Sequence, residues 1–177
     1  MNFIEVKIKP EWKGVKSGEV KDRLGYDKVN IEYYGKKAVS EHLSSKLIDG
    51  DGYDLIFKNK KISVISQSAR VEASIFQTSY IEKESRNQNC DIYVFIRILV
   101  KDDKLWIGGW LPRDVFWSIA RFNKAGKKSG CVTTLEDGWR VYWRMLFPME
   151  NLESSITSMD EFKKQARIYG LRRGGVI

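Results

Sequence analysis

Histidine occurs once and cysteine twice in this chain of 177 residues. Cys90 and Cys131 lack Cys-x-x-Cys spacing, and with His42 they fall short of the four Cys/His ligands of a standard zinc site. Two unpaired thiols in a reducing compartment are expected, and His42, read mid-helix beside Glu41, is expected to be structural or solvated. No apolar run approaches the ~20 residues of a membrane-spanning helix. The N-terminus alternates in the manner of a strand instead of carrying the apolar stretch of a signal peptide, so a cytoplasmic location without a membrane partner is expected. A Walker loop, a Gly-x-Gly-x-x-Gly turn and a Ser/His/Asp set are all missing, which removes the phosphate-loop, dinucleotide and triad chemistries. Internal repeats, low-complexity tracts and domain boundaries are missing too, and one domain over residues 1–177 is expected.

Positive charge is plentiful. The net charge is +8 with a pI near 9.4, and 42% of residues are hydrophobic, enough for an ordinary core. Half of the excess lies in residues 101–130, where seven Lys/Arg stand against three Asp/Glu. Arg121, Lys124, Lys127 and Lys128 follow one another with no acid between Asp114 and Glu136. A basic cluster on a loop attracts phosphate; it is also what a solvated surface loop looks like.

Residues 2–9 alternate apolar and polar and read as a strand, followed by a long polar loop over 10–29. Helical spacing of apolar residues runs from about 29 to 47, with Asn30 as the expected cap. Asp49-Gly50-Asp51-Gly52 turns the chain. Residues 53–57 and 61–67 then read as a hairpin joined by Lys58-Asn59-Lys60. Residues 68–88 show only a weak helical stripe of Ile75, Phe76, Tyr80 and Ile81. The nearly all-apolar stretch 91–100 predicts a strand buried on both faces, and 105–110 predicts a fourth strand. Pro112 opens a helix running to about Phe122, at a position where its missing N–H costs nothing. A last strand is expected over 139–147 and a short helix over 159–169.

The block Gly52-Tyr53-Asp54-Leu55-Ile56, a short hairpin, then Ile62-x-Val64-x-Ser66 resembles the "G-x-D-L-I … I-(D/E)-V-K-S" block of the PD-(D/E)XK nuclease superfamily. Asp91-Ile92-Tyr93-Val94-Phe95 and Trp106-Ile107-Gly108-Gly109-Trp110-Leu111-Pro112-x-Asp114-x-Phe116 resemble the later strand pair and helix of its phage and prokaryotic members. The resemblance covers about residues 30–123, leaving an N-terminal strand and loop over 1–29 and a C-terminal strand and helix over 131–177. It implies an α/β fold: a restriction-endonuclease-like domain with a central mixed sheet flanked by helices.

In such nucleases two strand acids hold Mg²⁺, a lysine orients or deprotonates the attacking water, and a helix glutamate assists. Asp54 matches the first acid. Ser63 stands where the second acid belongs, Ile65 where the lysine belongs, and Lys36, after Gly35, where the glutamate belongs. Three of four positions depart from the pattern. Asp54 alone, with a hydroxyl and a nearby ammonium, makes a weak magnesium site. Loss of hydrolysis is therefore expected, with no cofactor; Mg²⁺ on Asp54 is expected only if the chain is active. An active site rebuilt from Asp51, Glu72, Glu32 or Glu41, with Lys60, Lys61 or Arg70 as the lysine, is the competing expectation. Asp54 serving only to cap the turn after Asp51-Gly52, with the match due to chance, is a further alternative.

Tryptophan is abundant in the second half, and aromatics interleaved with Arg and Lys stack on bases. The alternation in 139–144 puts Trp139, Val141 and Trp143 on one face, expected to be core, and Arg140, Tyr142 and Arg144 on the other. The functional expectation is a catalytically inactive nuclease-fold protein that binds nucleic acid through Arg113, Arg121, Lys124, Lys127, Lys128, Arg140 and Arg144. The alternative is a protein-interaction module that antagonises or mimics a nuclease-type partner, as in phage–host conflict.

Overall fold

In chain order the elements are β1 (Ile4–Lys7), α1 (Lys28–His42), β2 (Leu55–Phe57), β3 (Lys60–Ser68), β4 (Thr78–Glu82), β5 (Ile92–Leu99), β6 (Lys104–Pro112), α2 (Arg113–Ile119), β7 (Arg121–Asn123), β8 (Lys128–Ser129), β9 (Val132–Thr133), β10 (Gly138–Tyr142) and α3 (Leu152–Thr157). They come from a computed structural model that describes residues 3–13, 18–22, 24–48, 52–74, 77–82, 88–126, 128–129, 132–133 and 137–157. Asp51, Lys127, Cys131 and the helix expected over 159–169 lie outside them. The fold is mixed α/β, and no helix among the described residues is long and apolar enough to cross a membrane.

A five-stranded mixed sheet in the order β1-β6-β5-β3-β2 forms the centre. β5 runs parallel to β3 and antiparallel to β6, and all eight of its residues are buried. The continuous apolar run in the sequence is this strand, covered on both faces. One face packs α1 through Ile31, Tyr34, Ala38 and Val39 onto Ile62, Val64 and Ile96. The other carries Tyr93 and Phe95 under Val115 and Phe116 of α2. A second sheet, β4-β10-β7, closes over that second face.

Local chemistry sets several boundaries differently from the sequence reading. The cap of α1 is Asp27, not Asn30: its carboxylate accepts from the N–H groups of Val29 (2.9 Å) and Asn30 (3.2 Å). The N–H of Gly18, 2.8 Å from the same carboxylate, does most to hold its pKa below the ordinary value. The helix stops at His42, and Ser44 at φ 49° turns the chain. The β2–β3 hairpin turns on Lys58 and Asn59, both left-handed at φ 47° and 62°. Two positive-φ residues match the twist of the flanking strands even without the usual Asn-Gly.

Of the weak helical stripe, Tyr80 and Ile81 belong to β4 and point to opposite sides; Ile75 and Phe76 lie outside the described residues. α2 ends at Ile119, and Phe122 is in β7, its ring 5.4 Å from that of Trp139. The strand expected over 139–147 breaks at Trp143, where a 3-10 turn begins. Trp143 is fully buried, its indole N–H donating to Ser79 Oγ at 2.8 Å and its ring lying on Gly108. The chain then returns to β6, where Phe147 and Trp110 exchange backbone hydrogen bonds of 2.9 and 3.0 Å.

That return depends on a bulge in β6. Phe95 pairs with Gly109 and Ile96 with Ile107, leaving Gly108 extra. Gly109 sits at φ 136°, and a Cβ there would collide with the carbonyl oxygen of Phe147. Gly109→Ala combines a forbidden backbone conformation with a steric clash and is expected to lower stability by about 2 kcal/mol or more. The urea midpoint should fall with an unchanged slope.

Candidate functional site

Asp54 lies immediately before β2, and its backbone already joins the sheet. Its N–H donates to Ile62 (2.8 Å), and its carbonyl accepts from Ile48 (2.8 Å). The carboxylate is equally committed. Oδ2 accepts the N–H of Val64 at 2.7 Å, and Oδ1 pairs with the ammonium of Lys36 on α1, also at 2.7 Å. The Asp54 side chain is 15% exposed and that of Lys36 is 33% exposed. Lys36, Asp54, Ser63 and Ile65, the four positions matched to the nuclease pattern, line one cleft of about 350 Å³.

The residues present do not fit a magnesium site. Mg²⁺ is held by one or two carboxylates plus waters and phosphate, and Asp54 is the one acid among the four matched positions and already sits against an ammonium. Here one oxygen of Asp54 is taken by a backbone N–H and the other by an ammonium. The second-acid position is Ser63, 3% exposed. Among the described residues no group of three His, Cys, Asp or Glu side chains converges. The positions proposed for a rebuilt site are not gathered either. Glu72 is exposed beyond β3 and does not line the cleft, and Glu41 pairs with Lys9 at 2.6 Å. Lys61 lies over the Tyr53 ring at 5.0 Å, and Lys60, Lys61 and Arg70 stay out of the cleft. Glu32 alone of the described members of that set reaches it.

The sequence reading missed Asp22, Lys28, Gln67, Tyr80 and Glu82, which also line the cleft. A signal for part of this was present: Lys28, Glu32 and Lys36 recur every fourth residue, which places them on one face of α1. Glu82, contributed by β4, carried no local signal; it pairs with Lys28 at 3.0 Å.

The expected nucleic-acid residues divide. Arg121 and Arg140 are direct cross-strand partners in the second sheet, and Arg140 is opposite Tyr80 on its other side. The Arg140 guanidinium lies over the Tyr80 ring at 4.9 Å, and that of Arg144 over the Tyr142 ring at 4.9 Å. Tyr142 is 41% exposed. Strand alternation turns Trp139 and Val141 to the opposite side, where Trp139 packs on Trp117 at 5.6 Å. Arg121, Arg140, Tyr80 and Tyr142 thus share one face, and Arg144 stacks at its end. The acid in the same row of β4, Glu82, is engaged by Lys28. Lys124 is exposed just beyond β7, and Lys128 is in β8. Arg113 stands apart as the half-buried first residue of α2, its N–H donating to the Asp91 carbonyl at 2.8 Å.

Beneath α2, burial pushes the Cys90 thiol up to about 11 and raises the Tyr93 hydroxyl as well. No protein-family model matches the chain, and no curated protein matches it.

Two outcomes follow from this geometry. In a double-mutant cycle, Lys36→Met and Asp54→Asn should show a coupling of about 1–2 kcal/mol, less than for a fully buried pair because Lys36 is partly solvated. Because the Cys90 pKa is raised on folding, its contribution to stability is complete below the unfolded value and is lost as pH rises from about 9 toward 11. Unfolding titrations should therefore show stability falling over that window, less so in Cys90→Ala. A thiol reagent at pH 8 should modify Cys90 only after denaturant is added.

Proposed function

We propose that this protein binds single-stranded nucleic acid on the outer face of its second sheet and does not hydrolyse it. The observation that carries this reading is the juxtaposition of Arg121 and Arg140 across neighbouring strands, beside two arginine-on-tyrosine stacks. Two guanidinium groups on neighbouring strands can hold one phosphate between them, and tyrosines beside them offer faces for unpaired bases. The net charge of +8 supplies long-range attraction.

The resemblance to PD-(D/E)XK nucleases supports the choice of ligand, and the committed state of Asp54 supports the absence of hydrolysis. Lys36 fills electrostatically the place a metal cation would take, without supplying a water to activate. The buried thiol of Cys90 suits a reducing, cytoplasmic setting.

Fluorescence anisotropy with labelled single-stranded oligonucleotides over roughly 50–200 mM salt tests the reading. Affinity should fall steeply with salt. Arg121→Ala and Arg140→Ala should each reduce the log–log slope by about 0.7, and Tyr142→Ala should weaken binding by about 1–3 kcal/mol if a base stacks there. An affinity that ignores salt would sink the proposal. Cleavage of DNA or RNA with Mg²⁺ or Mn²⁺, abolished by Asp54→Ala, would replace it with an active nuclease.

A further inference from the structure

The cleft beside Asp54 differs in character from the basic face. β3 is paired with β5 along residues 62–68, but β2 covers only Lys60, Lys61 and Ile62 on the other side. Asp54 extends that cover by one residue: its carboxylate takes the N–H of Val64. Backbone groups alternate sides along a strand. Since Ile62 and Val64 direct theirs toward Asp54, the N–H and carbonyl of Ser66 point the same way, past the end of β2. No hydrogen bond to either is found on that side among the described residues. Among the described residues the floor of the cleft is therefore an open strand edge, with α1 as one wall and β4 as the other.

The walls are acidic. Four carboxylates, of Asp22, Glu32, Asp54 and Glu82, face two ammonium groups, of Lys28 and Lys36. Both lysines are held by acids across the cleft, Lys28 by Glu82 and Lys36 by Asp54. Each lies four residues from Glu32 and would otherwise pair with it. Glu32 is left half-buried with no ion pair or hydrogen bond among the described residues. A second observation points to a donor. Gln67 is 7% exposed; its Nε2 donates to the Tyr80 carbonyl at 2.9 Å, and its Oε1 has no partner. Ser66 Oγ and Gln88 Oε1, on the same cleft, also lack partners.

We propose that this cleft docks an extended peptide that adds as a strand to the edge of β3 and sends an arginine side chain toward Glu32 on the α1 side of the sheet; Gln67 lies on the β4 side, beneath the flanking residue. An added strand supplies backbone partners for Ser66, as in other recognition by strand addition. A guanidinium carries five donors in a planar fork, which matches the Glu32 carboxylate better than a single ammonium does. The net negative lining selects for that charge and disfavours nucleic-acid phosphate at the same place. The inference does not rest on the nucleic-acid reading.

The test uses the full chain and a capped pentapeptide, acetyl-Thr-Val-Arg-Val-Thr-amide, with calorimetry and amide hydrogen exchange as readouts. Binding is expected, with exchange at the Ser66 amide slowed in the complex. Glu32→Gln should weaken it about tenfold, without changing affinity for single-stranded DNA. Replacing arginine by citrulline, or N-methylating the peptide backbone beside it, should each have a similar effect. The proposal is overturned if the pentapeptide does not bind at about 1 mM, if Glu32→Gln leaves its affinity unchanged, or if free agmatine binds as tightly as the peptide. The last result would mean that the cleft recognises a cation without using the strand edge.

Discussion

Everything that distinguishes this molecule follows from the unequal pairing of β3. On one side β5 holds it through seven residues; on the other β2 holds it through three. An unpaired edge inside a fold has to be satisfied, covered or used, because each bare backbone group costs free energy when removed from water. Asp54 satisfies the first such group, at Val64, with a charge-assisted bond. The remainder is flanked by α1 and β4, which approach from opposite faces without sealing it. The α1 approach is close because Gly35 rests on Ser66, where any larger residue would strike the serine hydroxyl. The cleft is thus a direct consequence of one strand ending early.

Charge is then sorted around this geometry. The chain as a whole is strongly basic, yet the cleft lining carries twice as many acids as lysines. The positive excess is displayed elsewhere, with Arg121, Arg140 and Arg144 on the second sheet. The two regions meet along β4, where Tyr80 lines the cleft and also lies under the Arg140 guanidinium. β4 turns Tyr80 toward Arg140 while its neighbour Ile81 enters the core.

How much of this was legible in the sequence depended on how local each signal was. β5 was legible because eight successive buried residues need no partner to be recognised, and the β2–β3 hairpin because two apolar runs flank a short polar turn. Asp54 and Lys36 were singled out by motif, and their contact across eighteen positions of sequence followed from the fold. β4 was missed because its pattern is only completed by β10, some sixty residues away. The break at Trp143 was missed for a related reason: alternation predicted its burial correctly, but the space for its ring is made by a bulge at Gly108 in another strand. The Asp27 cap and the role of Glu82 likewise depend on which donors the tertiary structure brings near.

The four matched positions can now be weighed by what their side chains are doing. Each oxygen of Asp54 has a partner: a backbone N–H that continues the sheet, and an ammonium that ties α1 to it. A tethered ammonium delivers positive charge without the coordination sphere of a metal ion. An aspartate fixed in this way is sufficiently explained by the stability of the strand edge and the helix above it. The same two contacts join β2, β3 and α1 at the point where the β2 cover of β3 ends.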